Sequence, residues 1–139
     1  MKSSHVTFHV QRQSSFNSGS SVNPIIPFEN VRLNIGNAMN IASGIFRVPK
    51  AGSYYFTFSA VKGKSDIAIV SLYLNNRNVS SSKTHANNDN YSLSLSSTLK
   101  LNVDDEISVR LREGNLGGST TYYYYYTNFN GILLQEDIF

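Results

Sequence analysis

The chain has 139 residues, a formal net charge of +3 and no cysteine. That length lets one core bury roughly two-thirds of the unfolded surface, and the missing cysteine excludes a disulfide framework, a thiol nucleophile and a cysteine-ligated zinc site. The Lys and Arg residues are scattered singly along the sequence, which argues against a nucleic-acid footprint. No apolar run approaches the about 18–20 residues that cross a bilayer. The opening Met1-Lys2-Ser3-Ser4-His5 lacks the apolar stretch of a secretion signal. One domain over residues 1–139 is expected, with residues 1–5 outside its ordered body.

Strand patterning pervades the chain, and no segment carries a helical period. Val6, Phe8 and Val10 make one apolar face of a strand over 6–12, which turns His9 outward. Residues 13–23, rich in Ser, Asn and Gly, read as a long surface loop. From Gly52 to Lys62, Tyr54, Phe56, Phe58 and Ala60 point one way, as in a central strand. Residues 67–74 are apolar on both faces, which predicts a strand covered on two sides. The cleanest alternation runs over 91–103 and returns over 107–112, with Asp104-Asp105 between them read as a hairpin turn. Five consecutive tyrosines, 122–126, precede a last strand over 127–134 that contains Gly131. Gly52 reads as a position needing positive φ, and Gly131 as the close approach of another backbone or a ring. Many short strands at regular spacing imply a sandwich or barrel.

Eight positions from Phe28 onward carry a further signal. Phe28, Asn34, Met39, Phe46, Gly52, Tyr54, Phe56 and Phe58 fall at the intervals of the C1q globular-head signature. Only Met39 departs, where that family has a larger ring; a flexible apolar filler there costs packing precision and not the fold. The stretch 34–46 resembles the invertebrate form of the family, and 6–10, 99–107 and 127–134 resemble its opening, penultimate and closing strands. The resemblance implies an all-β, ten-stranded antiparallel jelly-roll sandwich of the C1q/tumour necrosis factor type, assembled as a homotrimer.

Strand parity places the loops. If successive strands from Gly52 onward alternate direction, the end holding the C-terminus is a base and the loop 113–122 lies at the opposite apex. Segments 62–66 and 87–90 then join the apex, and 75–78 and 104–105 the base. The candidate ligand-binding residues are therefore Tyr122, Tyr123, Asn115, Asn88, Asp89 and Lys64. Tyr122 and Tyr123 would offer an apolar stacking face with a hydroxyl. Tyr124 and Tyr126 read as strand rings entering the core or a subunit interface. Asp89, among Asn87, Asn88 and Asn90, is the apical candidate for calcium, although one carboxylate is thin for that ion. No cofactor is otherwise implied.

His5, His9 and His85 are the only histidines, and no hydrolase, phosphate-cradling or zinc-spacing signature is present. No enzyme is expected. The resemblance implies a secreted, lectin-like recognition module of innate-immunity type that binds glycans or microbial surfaces through its apical loops. A protein-binding trimeric signalling or extracellular-matrix module is the alternative. The sequons at Asn78 and Asn90 support secretion weakly, because Ser and Asn are abundant throughout.

Overall fold

The computed structural model describes residues 5–88, 91–119 and 124–138. Its strands are β1 (Thr7–Arg12), β2 (Phe16–Asn17), β3 (Asn30–Ile35), β4 (Met39–Asn40), β5 (Ile45–Arg47), β6 (Gly52–Val61), β7 (Ile67–Leu74), β8 (Arg77–His85), β9 (Ser92–Leu101), β10 (Glu106–Glu113), β11 (Asn115–Leu116) and β12 (Thr127–Glu136). Ten of them build two five-stranded sheets, ordered β3-β1-β12-β6-β9 and β4-β5-β10-β7-β8, while β2 and β11 form a separate ribbon. All pairings are antiparallel, and no helix occurs among the described residues. This is the ten-stranded jelly-roll sandwich, with the ribbon as an addition.

Period-two patterning selects the inner faces. Tyr54, Phe56, Phe58 and Ala60 of β6 are buried with Phe8 and Val10 of β1 and Phe129 of β12. They meet Phe46, Leu72, Ile107 and Val109 from the other sheet in one core. Phe8 is the hub, with ring centroids 5.0 Å from both Phe46 and Phe129, the latter edge-on. Gly131 stands opposite Phe8 on one neighbouring strand and opposite Phe56 on the other. A Cβ at Gly131 would overlap the Phe8 ring and stand 2.9 Å from Phe56 Cδ1. The glycine is thus the floor on which two facing rings lie.

The signature positions acquire physical roles. Asn34 closes a loop with both ends of its amide, donating to the Met39 carbonyl at 2.9 Å and accepting from the Met39 N–H at 3.3 Å. The Tyr54 hydroxyl, at the rim of the core, donates to the Lys50 carbonyl at 2.6 Å. Gly52 corrects the expectation of positive φ, since it does not adopt one. Its Cβ would instead strike the Gln135 carbonyl and come within 3.0 Å of Leu133. Close approach by β12, and not a turn conformation, requires glycine there.

Three further readings are corrected. Asp104-Asp105 is not a hairpin turn: β9 pairs with β6, whereas β10 pairs with β5 and β7. The chain crosses between sheets there, with Asp104 at φ 73°; a crossover and a hairpin use the same turn chemistry and differ only in distant pairing. Residues 13–23 are not loop throughout, because Asn17 and Phe16 pair with Asn115 and Leu116. Tyr124–Tyr126 do not extend the last strand. β1 ends at Arg12, opposite Thr127, and pairing with β6 stops at Ser59, opposite Asn128. Tyr124 and Tyr126 lie beyond the last pairs of both ladders, although β6 itself runs on to Val61, and they stay 55% and 43% exposed instead of entering the core.

Replacing Gly131 by Ala is expected to destabilise the domain by about 1–3 kcal/mol through overpacking, seen as a lower urea midpoint at unchanged m-value.

Candidate functional site

The described parts of the loops assigned to the apex converge. The Gly63 N–H donates to the Asn115 carbonyl at 3.0 Å and the Gly117 N–H to the Val61 carbonyl at 2.9 Å. Ala86 N–H donates to the Asp66 carbonyl at 2.9 Å, which ties the segment after β8 to the segment before β7. At the other end, Asn75 N–H donates to Glu106 and Asp137 N–H to Ala51, so the turn after β7 and the end of β12 lie at the base. Antiparallel pairing inside each sheet imposes this sorting, because each successive long strand reverses direction.

Lys62 organises the apex from within. Its side chain is completely buried. Nζ donates to the Gly63 carbonyl at 2.9 Å and to the Ser65 carbonyl at 2.7 Å. Its backbone N–H donates to the Tyr91 carbonyl, and it bridges Leu116. Asn115 locks the same turn: its Oδ1 accepts from Ser65 N–H at 3.3 Å, and its N–H donates to Ser65 Oγ at 3.0 Å.

Between these loops and the β2–β11 ribbon opens a cleft of about 320 Å³, walled by Phe16, Asn17, Gly63, Lys64, Asn115 and Leu116 with Gly117 and Gly118. It offers a ring, two carboxamide side chains, glycine backbone and one cation, while Leu116 backs the wall from the core. Of the residues singled out from sequence, it brings together Asn115 and Lys64. Asn88 is exposed on the neighbouring apical segment and does not line the cleft. Tyr122, Tyr123 and Asp89 lie outside the described residues. Among the described residues no group of three His, Asp or Glu could hold a metal. His9 lies on the outer sheet face as expected, its Nε2 2.9 Å from Asn128 Oδ1.

Sequence reasoning missed the wall supplied by 13–17. Its one signal was Phe16, a lone ring in a polar stretch. The Arg12 guanidinium sits 5.0 Å over that ring and donates to the Ser14 and Ser15 carbonyls. Glu29 secures the other side, accepting from the N–H groups of Gln13 and Ser14 and, at 2.6 Å, from the Ser14 hydroxyl. Burial acts to raise the Glu29 carboxyl, but the Ser14 and Gln13 hydrogen bonds and the Arg12 charge outweigh it and hold the group below its ordinary value. A larger depression of about 510 Å³ lies at the base, among Asn37, Asn40, Arg47, Asp104 and Glu106. There Arg47 and Glu106 already neutralise each other at 2.5 Å, and no aromatic ring among the described residues lines it.

Two five-stranded sheets in jelly-roll order, with a loop-built cleft at one end, define a C1q/tumour necrosis factor-like globular module. The family model for the C1q domain matches residues 7–134, and the chain belongs to that family. It is 34% identical over 120 residues to mouse complement C1q tumor necrosis factor-related protein 3, covering 84% of this chain and 47% of that one. It is 30% identical over 135 residues to zebrafish Caprin-2, covering 95% of this chain and 14% of that one. The chain therefore spans less than half the length of these curated relatives. The globular domain of zebrafish complement 1qA superposes with a TM-score of 0.72 at 18% identity, over 95% of this chain and 99% of that one. Murine APRIL gives 0.68 at 17% identity, over 94% and 99%. Identities this low speak for the fold alone.

The depressed Glu29 carboxyl sets a pH test of the cleft wall. The stabilisation it lends is complete above its ordinary value of 4.5 and is lost as pH falls through its lower folded value. Amide resonances of Gln13 and Ser14 are expected to titrate in that acid range, and Glu29→Gln to abolish the titration and speed hydrogen exchange across 13–16 at neutral pH.

Proposed function

We propose that this domain is a secreted, non-enzymatic recognition module that works as a homotrimer and binds glycans through its apex. The observation that carries this reading is the apical cleft. A sugar ring presents an apolar face and a fringe of hydroxyls, and the cleft presents Phe16 beside the carboxamides of Asn17 and Asn115. Tyr124 and Tyr126 are two further exposed rings, at the entry to β12.

Trimerisation is supported by the outer face of the β3-β1-β12-β6-β9 sheet. Ile35, Ile132 and Tyr55 align across neighbouring strands with Thr7 among them, and Leu33 stands opposite His9. All four apolar side chains are exposed in the single chain, and Leu33, Tyr55 and Ile132 line a shallow hollow with Thr57 and Asn130. The surplus apolar surface is thus mainly aliphatic: the core consumes the rings of Tyr54, Phe56 and Phe58 completely. A threefold contact on this face would cover a patch that a lone sandwich leaves wet.

The wild-type chain is expected to sediment as a trimer at micromolar concentration. Ile132→Asp, which would place a charge in the covered face, is expected to give a folded monomer. Since three sites act together in the trimer, the monomer's apparent affinity on a glycan array should fall by about a hundredfold. An array blank with and without calcium, together with a protein receptor captured on the apex, would favour the signalling or matrix-binding alternative.

A further inference from the structure

The charge around the apical cleft points to a ligand class narrower than glycans at large, an inference that rests on the apical reading above. Lys64 is exposed, lines the cleft and forms no ion pair among the described residues. Among the described residues no carboxylate lines the cleft. Behind the Gly63 wall lies the Lys62 ammonium, 0% exposed, held by two carbonyls and again without a carboxylate partner among the described residues. An ammonium carries three donors, and two neutral carbonyls solvate its charge without cancelling it. Burial of that charge in a medium of low polarisability projects its field toward the nearest opening. Asp66 and Glu113 belong to the same end of the molecule, but both are exposed, neither lines the cleft and neither pairs with these lysines.

We infer that the cleft selects acidic saccharides, with the sugar ring against Phe16 and its carboxylate or sulfate on Lys64. Lys64 is the contacting residue. Lys62 is a positioning residue that holds the 63–65 turn in place and biases the cleft toward anions through the Gly63 wall. The base depression supplies an internal contrast, since its Arg47 charge is spent on Glu106.

The test is an amide-resolved NMR titration of the full chain with glucuronate, glucose 6-sulfate and glucose. Both acids are expected to shift the amides of Gly63, Gly117 and Gly118, and to bind about fivefold or more tightly than glucose. The two acid arms separate carboxylate from sulfate preference, and binding of either supports the inference. Lys64→Gln is expected to cut acid affinity about fivefold and leave glucose unaffected. Arg77→Gln, which removes the same charge from the base turn, is expected to change neither. Lys62→Met should weaken acid binding while broadening the Gly63 and Ser65 resonances; if it fails to fold, the Lys64 comparison still decides. Equal binding of glucose and the acids, or equal loss from Arg77→Gln and Lys64→Gln, would overturn the charge selectivity and leave the apical glycan reading standing. Cleft amides unmoved by all three sugars would overturn the inference, and a blank glycan array beside that result would remove the wider reading as well.

Discussion

The packing of two phenylalanine rings over a single glycine is the constraint from which the sandwich follows. Phe8 and Phe56 flank Gly131 on adjacent strands, and only a residue without a Cβ leaves room for both rings above the sheet. With that space open, Phe8 reaches across the layers to Phe46 and sideways to Phe129. One ring thereby links β1, β5 and β12, and the register of β12 between β1 and β6 is set. A slip of β12 by one residue would turn Phe129 to the wet face and put a side chain where Gly131 leaves room for both rings.

That register has consequences far from the core. Fixing β12 against β6 brings the base close enough for the Asp137 N–H to reach the Ala51 carbonyl. Because each long strand then reverses the last, the loops after β6, β8 and β10 must share the other end. There the short polar turns have little apolar material with which to pack. They are joined instead by backbone hydrogen bonds and by one buried ammonium, Lys62, which draws two carbonyls of the 63–65 turn toward itself. A buried charge is costly to desolvate, so its placement under the cleft, and not in the middle of the sandwich, ties the electrostatics of the apex to the same residue that shapes it.

The two faces of the long sheet divide the apolar residues between the core and the surface. Alternation sends Tyr54, Phe56 and Phe58 inward and leaves Tyr55 outside, where it aligns with Ile132 and Ile35. The other sheet manages its outer face differently. Arg110 lies 4.3 Å over the Tyr73 ring, and Ser71, Ser81 and Asn78 satisfy one another's polar groups. That polar covering, which engages the Asn78 amide twice, contrasts with the aliphatic patch opposite and marks which side of the sandwich is suited to a further copy.

Much of this was legible in the residues themselves, because the physics of a strand is local. Alternation over 91–103, the rings spaced by two after Gly52 and the need for space at Gly131 each depend on neighbours a few positions away or on side-chain volume, and the structure bears them out. Partner choice is not local. Asp104-Asp105 is a good turn in either a hairpin or a crossover, and only the distant claim of β6 on β9 makes it a crossover. Tyr124–Tyr126 have strand-forming side chains but lie beyond the point where the ladders with β1 and β6 stop. Phe16 looks like a stray ring in a polar loop until β11 pairs with it and turns it into a cleft wall, and Lys62 looks like a surface lysine until the apical loops close over it. Composition and period determined that this chain would be a sandwich and which rings would fill it; the long-range pairing of sheets decided where its loops meet and which charges they enclose, since those depend on contacts between segments that carry no mark of each other in the chain.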